Sequence, residues 1–287
     1  MDYIFIGSGE FAAHTLAFLN PSPTTVITKP DRMGGRGMKT VLPSPVKTVA
    51  KVKGVTVMEV QNVQELKTLL EEHTSMPVVL TDFGMIIPQE LLAIPAYGIW
   101  NIHPSLLPQY RGSSPLQSAI LNGDTTTGVT IIQIDAQVDH GPILAQQTVT
   151  ITTEETSQTL STKLAQTGAV LMNQLLIYPQ KTVDQAQKQD HTQATYTKRL
   201  TKEDGYVAIE KLRPYLLPIL TKYHLLHILP PDAGIAPIQE EKLRNMVRAL
   251  IPWPGVWTKT KNNEVIKIML NGVKIRGKAY LLYNREH

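Results

Sequence analysis

Residues 3–12 read Tyr3-Ile4-Phe5-Ile6-Gly7-Ser8-Gly9-Glu10-Phe11-Ala12. An apolar run of four meets a glycine turn, and the turn opens a helix over residues 11–19. A strand feeding a helix through so short a turn is the first half of a βαβ unit. The alternation then recurs. Residues 25–28, 55–60, 78–80, 98–103 and 128–135 read as strands. Residues 46–52 and 63–73 read as helices, the second with apolar residues at 63, 66, 69 and 70. Strands separated by helices of this length predict an α/β fold with a Rossmann-like, mostly parallel sheet.

Further along, residues 142–151 read as one more strand. Thr152-Thr153-Glu154-Glu155 matches a capping box and predicts a long helix to about residue 177, ended by Tyr178-Pro179. Residues 180–197 are polar and rich in Gln and Thr, which predicts a linker. That sets a domain boundary near residue 200, with one domain over 1–200 and a smaller basic one over 201–287. In the second domain, 206–250 reads as helical but broken by Pro214, Pro218 and Pro230-Pro231. Residues 265–270, 272–275 and 279–283 read as short β segments.

Composition narrows the function classes. The chain has 287 residues, 42% hydrophobic and 18% charged, an ordinary globular profile. No apolar run is long enough to span a membrane, and the first residues carry no basic leader pattern. With no cysteine, disulfides, thiolate zinc sites, iron–sulfur clusters and cysteine nucleophiles are excluded together. The expectation is a cytoplasmic protein without metal. The net charge of +4 is unevenly spread. Residues 1–197 hold 12 Lys and Arg against 16 Asp and Glu, a balance of −4, while 198–287 hold 16 against 8, a balance of +8. Within the first part, residues 29–53 alone carry seven bases against one acid, or +6, leaving −10 for the rest. Basic elements on an otherwise acidic body are a cue for a polyanionic partner such as nucleic acid.

Four motifs are candidates for chemistry. Gly7-Ser8-Gly9 with Asp31 superficially meets the dinucleotide fingerprint, but Asp31 sits in the loop sequence Lys29-Pro30-Asp31-Arg32, so the glycines read as a tight turn. The irregular stretch 29–45, with Gly34-Gly35-Arg36-Gly37 inside it, is long for a structureless loop and offers an arginine suited to RNA phosphates or bases. The third is Asn101-Ile102-His103-Pro104-Ser105-Leu106-Leu107-Pro108-Gln109-Tyr110-Arg111-Gly112. On a strand over 98–103, Asn101 and His103 share one face at the carboxyl end, where open α/β sheets bind ligands. An amide donor and a histidine there suit oxyanion stabilisation and proton transfer. The loop 105–108, stiffened by prolines, suits a ligand wall. Fourth, Asp139 stands in the turn before Gly141-Pro142 and could orient His103.

Taken together, Asn101-x-His103-Pro104-Ser105-Leu106-Leu107-Pro108 and Asp139-x-Gly141 resemble the signature of the folate-dependent formyltransferase family. Three further matches resemble the branch that acts on methionyl-tRNA. They are Lys29-Pro30-Asp31-Arg32 through Gly35-Arg36-Gly37 to Leu42-Pro43-Ser44-Pro45-Val46-Lys47, then Tyr110-Arg111-Gly112-x-x-Pro115-Leu116-Gln117, then Arg248-Ala249-x-x-Pro252-Trp253-Pro254. The resemblance implies formyl transfer from 10-formyltetrahydrofolate to the α-amine of initiator methionyl-tRNA, without metal or covalent enzyme intermediate; a monomer is expected.

By motif position, Asn101, His103 and Asp139 are the implied catalytic residues, with each oxyanion donor contributing on the order of 3 kcal/mol. Ser105, Leu106, Leu107 and Pro108 are implied to contact the folate, and Arg36, Lys39 and Arg248 the tRNA. The match spans roughly 1–205 and the segment near 250. Residues 206–243 look like an extra segment, and the chain after Trp257 is short for the family's five-stranded barrel. The expected second domain is therefore a truncated or remodelled β-barrel with an inserted helix. The rival readings are a formyltransferase acting on a small amine (glycinamide ribonucleotide or a nucleotide-linked aminosugar) and a catalytically inactive RNA-binding homologue. The basic elements argue against the first, the intact Asn101, His103 and Asp139 against the second. A nicotinamide-dependent dehydrogenase comes last.

Overall fold

The computed structural model describes residues 2–34, 40–232 and 234–281. In chain order the first elements are β1 (Ile4–Ile6), α1 (Glu10–Phe18), β2 (Thr25–Thr28), β3 (Arg32–Gly34), β4 (Thr40–Leu42), α2 (Pro45–Val52), β5 (Thr56–Glu59), α3 (Val63–Glu71), β6 (Val78–Leu80) and α4 (Gln89–Leu92). Then come β7 (Ile99–His103), β8 (Arg111–Gly112), α5 (Pro115–Asn122), β9 (Thr126–Gln133), β10 (Ile143–Thr150), α6 (Ser157–Leu175), α7 (Pro179–Asp184) and β11 (Tyr196–Thr197). The chain ends on α8 (Arg213–Lys222), α9 (Glu240–Ala249), β12 (Val256–Lys259), β13 (Val265–Met269), β14 (Gly272–Ile275) and β15 (Lys278–Leu281).

Two compact units form. The first comprises residues 2–115, 126–150 and 159–197; the second comprises 116–125, 151–158 and 198–281. The second unit thus gathers two short pieces from before residue 160 as well as the C-terminal part, which begins at residue 198.

The first unit is built on a seven-stranded sheet in the order β10-β9-β7-β6-β1-β2-β5. Its β7-β6-β1-β2-β5 portion is parallel, and β9 and β10 add on antiparallel beside β7. Tyr3, Ile4, Phe5 and Ile6 are wholly buried, as a central parallel strand covered on both faces requires. Helix starts follow local chemistry. The Ser44 side chain accepts from the Lys47 amide ahead of Pro45 at the head of α2, and Asn62 accepts from the Glu65 amide at α3.

Three expectations need correction. The stretch 29–45 is not structureless, because β3 and β4 pair as an antiparallel ribbon, Arg32 opposite Leu42. The long helix starts at Ser157 and not at Thr153. Glu155 does reach back to the Thr152 amide, and its own amide donates to the Thr152 carbonyl, so residues 152–155 form a separate turn whose Thr152 and Glu155 carbonyls also accept from the Arg248 guanidinium. Residues 180–197 are no linker: α7 and β11 lie there, and β11 pairs in parallel with β8.

In the second unit, β12-β13-β14-β15 form a four-stranded antiparallel sheet in sequential order. Ile266, Ile268, Val273 and Ile275 face inward, joined in the core by Leu212, Leu216, Ile219, Leu220, Leu243, Val247 and Leu250. Lys267 and Lys274 alternate outward. Among the described residues these four strands do not close as a five-stranded barrel, and the outer side of β12 carries a parallel bridge from Tyr206 to Trp257. Pro218 does not end its helix; α8 runs through it, with Pro214 in the first turn, where a missing amide hydrogen costs nothing. Among the described residues, no helix is long and apolar enough to cross a membrane.

Candidate active site

Strand β7 places Asn101 opposite Ile132 and His103 opposite Thr130 of β9. The two residues share a face, as their spacing of two dictates. His103 is only 4% exposed. Its Nε2 lies 3.0 Å from the Tyr110 carbonyl, and its Nδ1 lies 3.5 Å from Asp139 Oδ1. A carbonyl only accepts, so Nε2 carries a proton. Nδ1 then faces a carboxylate oxygen, and the pair is satisfied when a second proton lies between them. The Asn101 side-chain amide donates to the same Asp139 Oδ1 at 3.3 Å, and the Gly112 amide donates to Asp139 Oδ2 at 2.8 Å. The three residues read from the sequence therefore meet on one carboxylate.

Two backbone features make this meeting possible. Tyr110 (φ 59°) and Asp139 (φ 50°) adopt left-handed conformations, which turn the Tyr110 carbonyl toward His103 and the Asp139 side chain toward β7. Asp tolerates this region; a bulky Tyr does so only where its surroundings compel it. Between them, Gly112 (φ 106°) has no room for a side chain, since a Cβ would lie 2.5 Å from the Thr197 carbonyl.

The loop 105–108 is fastened from below. The Thr130 hydroxyl donates to the Ser105 carbonyl and accepts from the Leu107 amide, and the Gln146 amide donates to the Leu107 carbonyl. Ser105 is itself buried and donates to the Gln109 carbonyl at 2.7 Å. Leu107 is buried too, whereas Leu106 and Pro108 are half-buried.

Behind the site is a polar cluster that the sequence reading passes over. Arg111 is 1% exposed. Its guanidinium donates to Gln189 Oε1 at 2.7 Å, His191 Nδ1 at 2.8 Å and the Tyr196 hydroxyl at 3.3 Å. Among the described residues no carboxylate pairs with it. His191 stacks on His140, with ring centroids 3.8 Å apart, and His140 meets Asp135 at 2.6 Å. Desolvation, then the positive neighbours His140 and Arg111, hold His191 below the usual histidine range, in keeping with its acceptor role toward Arg111. The alternation Thr195-Tyr196-Thr197 is the one signal in the sequence for the strand that brings this segment in.

The remaining motifs resolve as follows. The Gly7-Ser8-Gly9 turn is filled by the protein itself. The Ser8 and Gly9 amides donate to the Asp82 carbonyl, and the Asp82 carboxylate accepts from the Phe11 and Ala12 amides at the head of α1. A Cβ on Gly9 would lie 1.8 Å from that carboxylate. The helix start that a dinucleotide pyrophosphate would need is therefore taken, which disfavours the dehydrogenase reading. Burial pushes the Asp82 carboxyl up to about 6. Arg36 and Lys39 lie outside the described residues. Among the other bases of that stretch, Lys47 pairs with Asp31 and Glu59, and Lys29 and Lys53 donate to backbone carbonyls. Arg248 departs from its expected place on tRNA. It is 9% exposed, with Nη1 on the Thr152 and Glu155 carbonyls and Nη2 on Asn245, so its donors serve the fold. Among the described residues no cluster of His, Asp or Glu could hold a metal ion.

The sequence profile of the formyl transferase family matches residues 4–176. The methionyl-tRNA formyltransferase of Geobacter metallireducens is 33% identical over 273 residues, covering 93% of this chain and 78% of that protein. That of Dehalococcoides mccartyi is 35% identical over 271 residues, covering 93% and 76%. Among solved structures, the Helicobacter canadensis N-formyltransferase in complex with folinic acid and dTDP-3-aminofucose shares the fold, at 18% identity and a TM-score of 0.57, over 98% of this chain and 100% of that one.

Proposed function

The chain belongs to the formyl transferase family, and from that membership we propose that it transfers a formyl group from 10-formyltetrahydrofolate to the α-amino group of methionyl-tRNA. The observation that carries the assignment of the site is the meeting of Asn101 and His103 on the Asp139 carboxylate at the end of β7. The choice of methionyl-tRNA over a small amine rests on the relatives, which bear that activity in name and align with nearly the whole chain.

The folate supplies a formyl carbon already bonded to nitrogen; the chain's own groups do the rest. Asn101 uses one amide hydrogen on Asp139 and keeps the other for the formyl oxygen, where negative charge grows as the amine adds. His103, enclosed by protein between the Tyr110 carbonyl and Asp139, would offset that charge with its own positive form in a site of low dielectric. Asp139 holds His103 in place, takes the proton that the amine sheds, and passes it toward the departing folate nitrogen. The carbon–nitrogen bond to the folate breaks as the new amide forms, and no oxidant or metal enters the balance. Ser105 and Leu107 anchor the loop from inside, which leaves Leu106 and Pro108 as its faces toward folate. Arg36 and Lys39, in the segment joining β3 to β4, and the +8 balance of residues 198–287 favour a tRNA partner. With that partner, the cytoplasm is the compartment we propose for it.

The deciding experiment supplies methionyl-tRNA and 10-formyltetrahydrofolate at a stated salt concentration. Formylmethionyl-tRNA is the expected product. Turnover of a nucleotide-linked aminosugar or glycinamide ribonucleotide, with none on methionyl-tRNA, would overturn the proposal.

A further inference from the structure

The Asp139 carboxylate is only as well placed as the turn that carries it. That turn is held at both ends by one buried side chain. Gln189 Nε2 donates to the Asp139 carbonyl at 2.9 Å and to the Gly141 carbonyl at 2.7 Å. The orientation of this amide is fixed by chemistry. Carbonyls only accept and a guanidinium only donates, so the nitrogen must face the turn and the oxygen must face Arg111. All three hydrogen-bonding capacities nearest the site are thereby used. Arg111 in turn heads β8, whose next residue, Gly112, donates its amide to Asp139 Oδ2. Beside it, residue 110 receives the other end of His103. The Ile143 and Gln187 backbones exchange hydrogen bonds at 2.7 and 2.8 Å just before Gln189, so the glutamine is delivered on a segment already fastened to β10.

We propose that Gln189 is a positioning residue for formyl transfer, stapling the Asp139–Gly141 turn to Arg111 so that the Asp139 carboxylate stays against Asn101 and His103. The inference rests on the reading of that trio as the reacting site. Gln189 does not touch substrate. Its effect falls on the geometry of Asp139, and misplacement of a reacting group by about 1 Å costs on the order of a hundredfold in rate.

Two substitutions separate this from a purely structural role. Gln189→Glu keeps an oxygen for Arg111 but sets carboxylate oxygens against the Asp139 and Gly141 carbonyls. Gln189→Met keeps the length and removes every hydrogen bond. Lys188→Ala, at an exposed neighbour, is the control. With 10-formyltetrahydrofolate and methionyl-tRNA, we expect kcat to fall roughly ten- to a hundredfold in both Gln189 variants, with KM for either substrate within about threefold of wild type. Gln189→Glu should melt close to wild type. A second readout needs no substrate: the imidazole 15N signals of His103 should move in both variants and stay in place in Lys188→Ala. Wild-type kcat with unmoved His103 signals in either soluble variant overturns the proposal. So does a loss confined to KM. If wild-type protein fails to formylate methionyl-tRNA, it is the reading of the reaction that falls, and the His103 signals still decide whether Gln189 positions the turn.

Discussion

The Asp82 carboxyl offers a quantitative test of the fold around the first glycine turn. It is buried against the head of α1, and its pKa of about 6 compares with 3.8 for a free side chain. The unfolded chain therefore releases this proton at lower pH than the native protein does. Native stability from this group is fully present at the acid end, falls as pH rises through the interval from 3.8 to about 6, and stays low above it. Across the whole interval the loss is about 3 kcal/mol, and between about pH 4.5 and pH 7.5 it is about 2 kcal/mol. Other carboxylates and histidines titrate in the same window, so the informative quantity is a difference. Asp82→Asn retains the size and one acceptor but cannot ionise. Urea unfolding of both proteins across that range should show the variant gaining about 2 kcal/mol relative to wild type from the acid end to the neutral end. Parallel profiles, agreeing within about 0.5 kcal/mol at every pH, would refute a buried ionising carboxyl at this helix start.

Other outcomes follow from the site and its surroundings. Asn101→Ala removes one oxyanion donor and should lower kcat by about a hundredfold or more, while His103→Ala should abolish most turnover and leave tRNA affinity intact; filter binding beside the kinetic assay distinguishes the two. Arg248→Met removes the guanidinium hydrogen bonds to the Thr152 and Glu155 carbonyls and should cost about 2–3 kcal/mol in denaturant unfolding. The salt dependence of tRNA binding should not change in that variant, whereas a slope reduced by about one would return Arg248 to the phosphate backbone. Arg36→Ala should weaken use of tRNA with little effect on folate, and equal loss of both would remove that residue from the tRNA interface.

Much of the site was legible because its logic is local. A spacing of two on an apolar strand puts Asn101 and His103 on one face whatever surrounds them, and an Asp before Gly-Pro announces a turn. That Asp139 closes on this pair is a long-range fact, which the chemistry of a histidine and a turn carboxylate suggests and periodicity does not. The unread parts share a physical cause: polar residues whose partners lie far away in sequence. Gln189 and His191 look like linker composition until Arg111, some 80 residues earlier, is placed beside them. Arg248 looks like a phosphate ligand because nothing nearby in the chain reveals that the carbonyls of 152 and 155 need a donor. The same donor meets the turn 152–155, where the capping box forms ahead of the helix and not at its start. Pro218, a breaker by rule, is tolerated because α8 buries Leu216, Ile219 and Leu220 around it.

The parallel pairing of β11 with β8 has a consequence for how the protein comes into being. A ribosome has made Asn101, His103 and Asp139 well before it reaches Gln189, and β11, which follows Gln189 and pairs with β8, ends only at residue 197. An emerging chain thus holds every reacting group while the turn beneath Asp139 is still unfastened. The fastening of that turn waits for residue 189 to be made. A chain stopped just before residue 189 should therefore show the His103 15N signals displaced from their full-length positions.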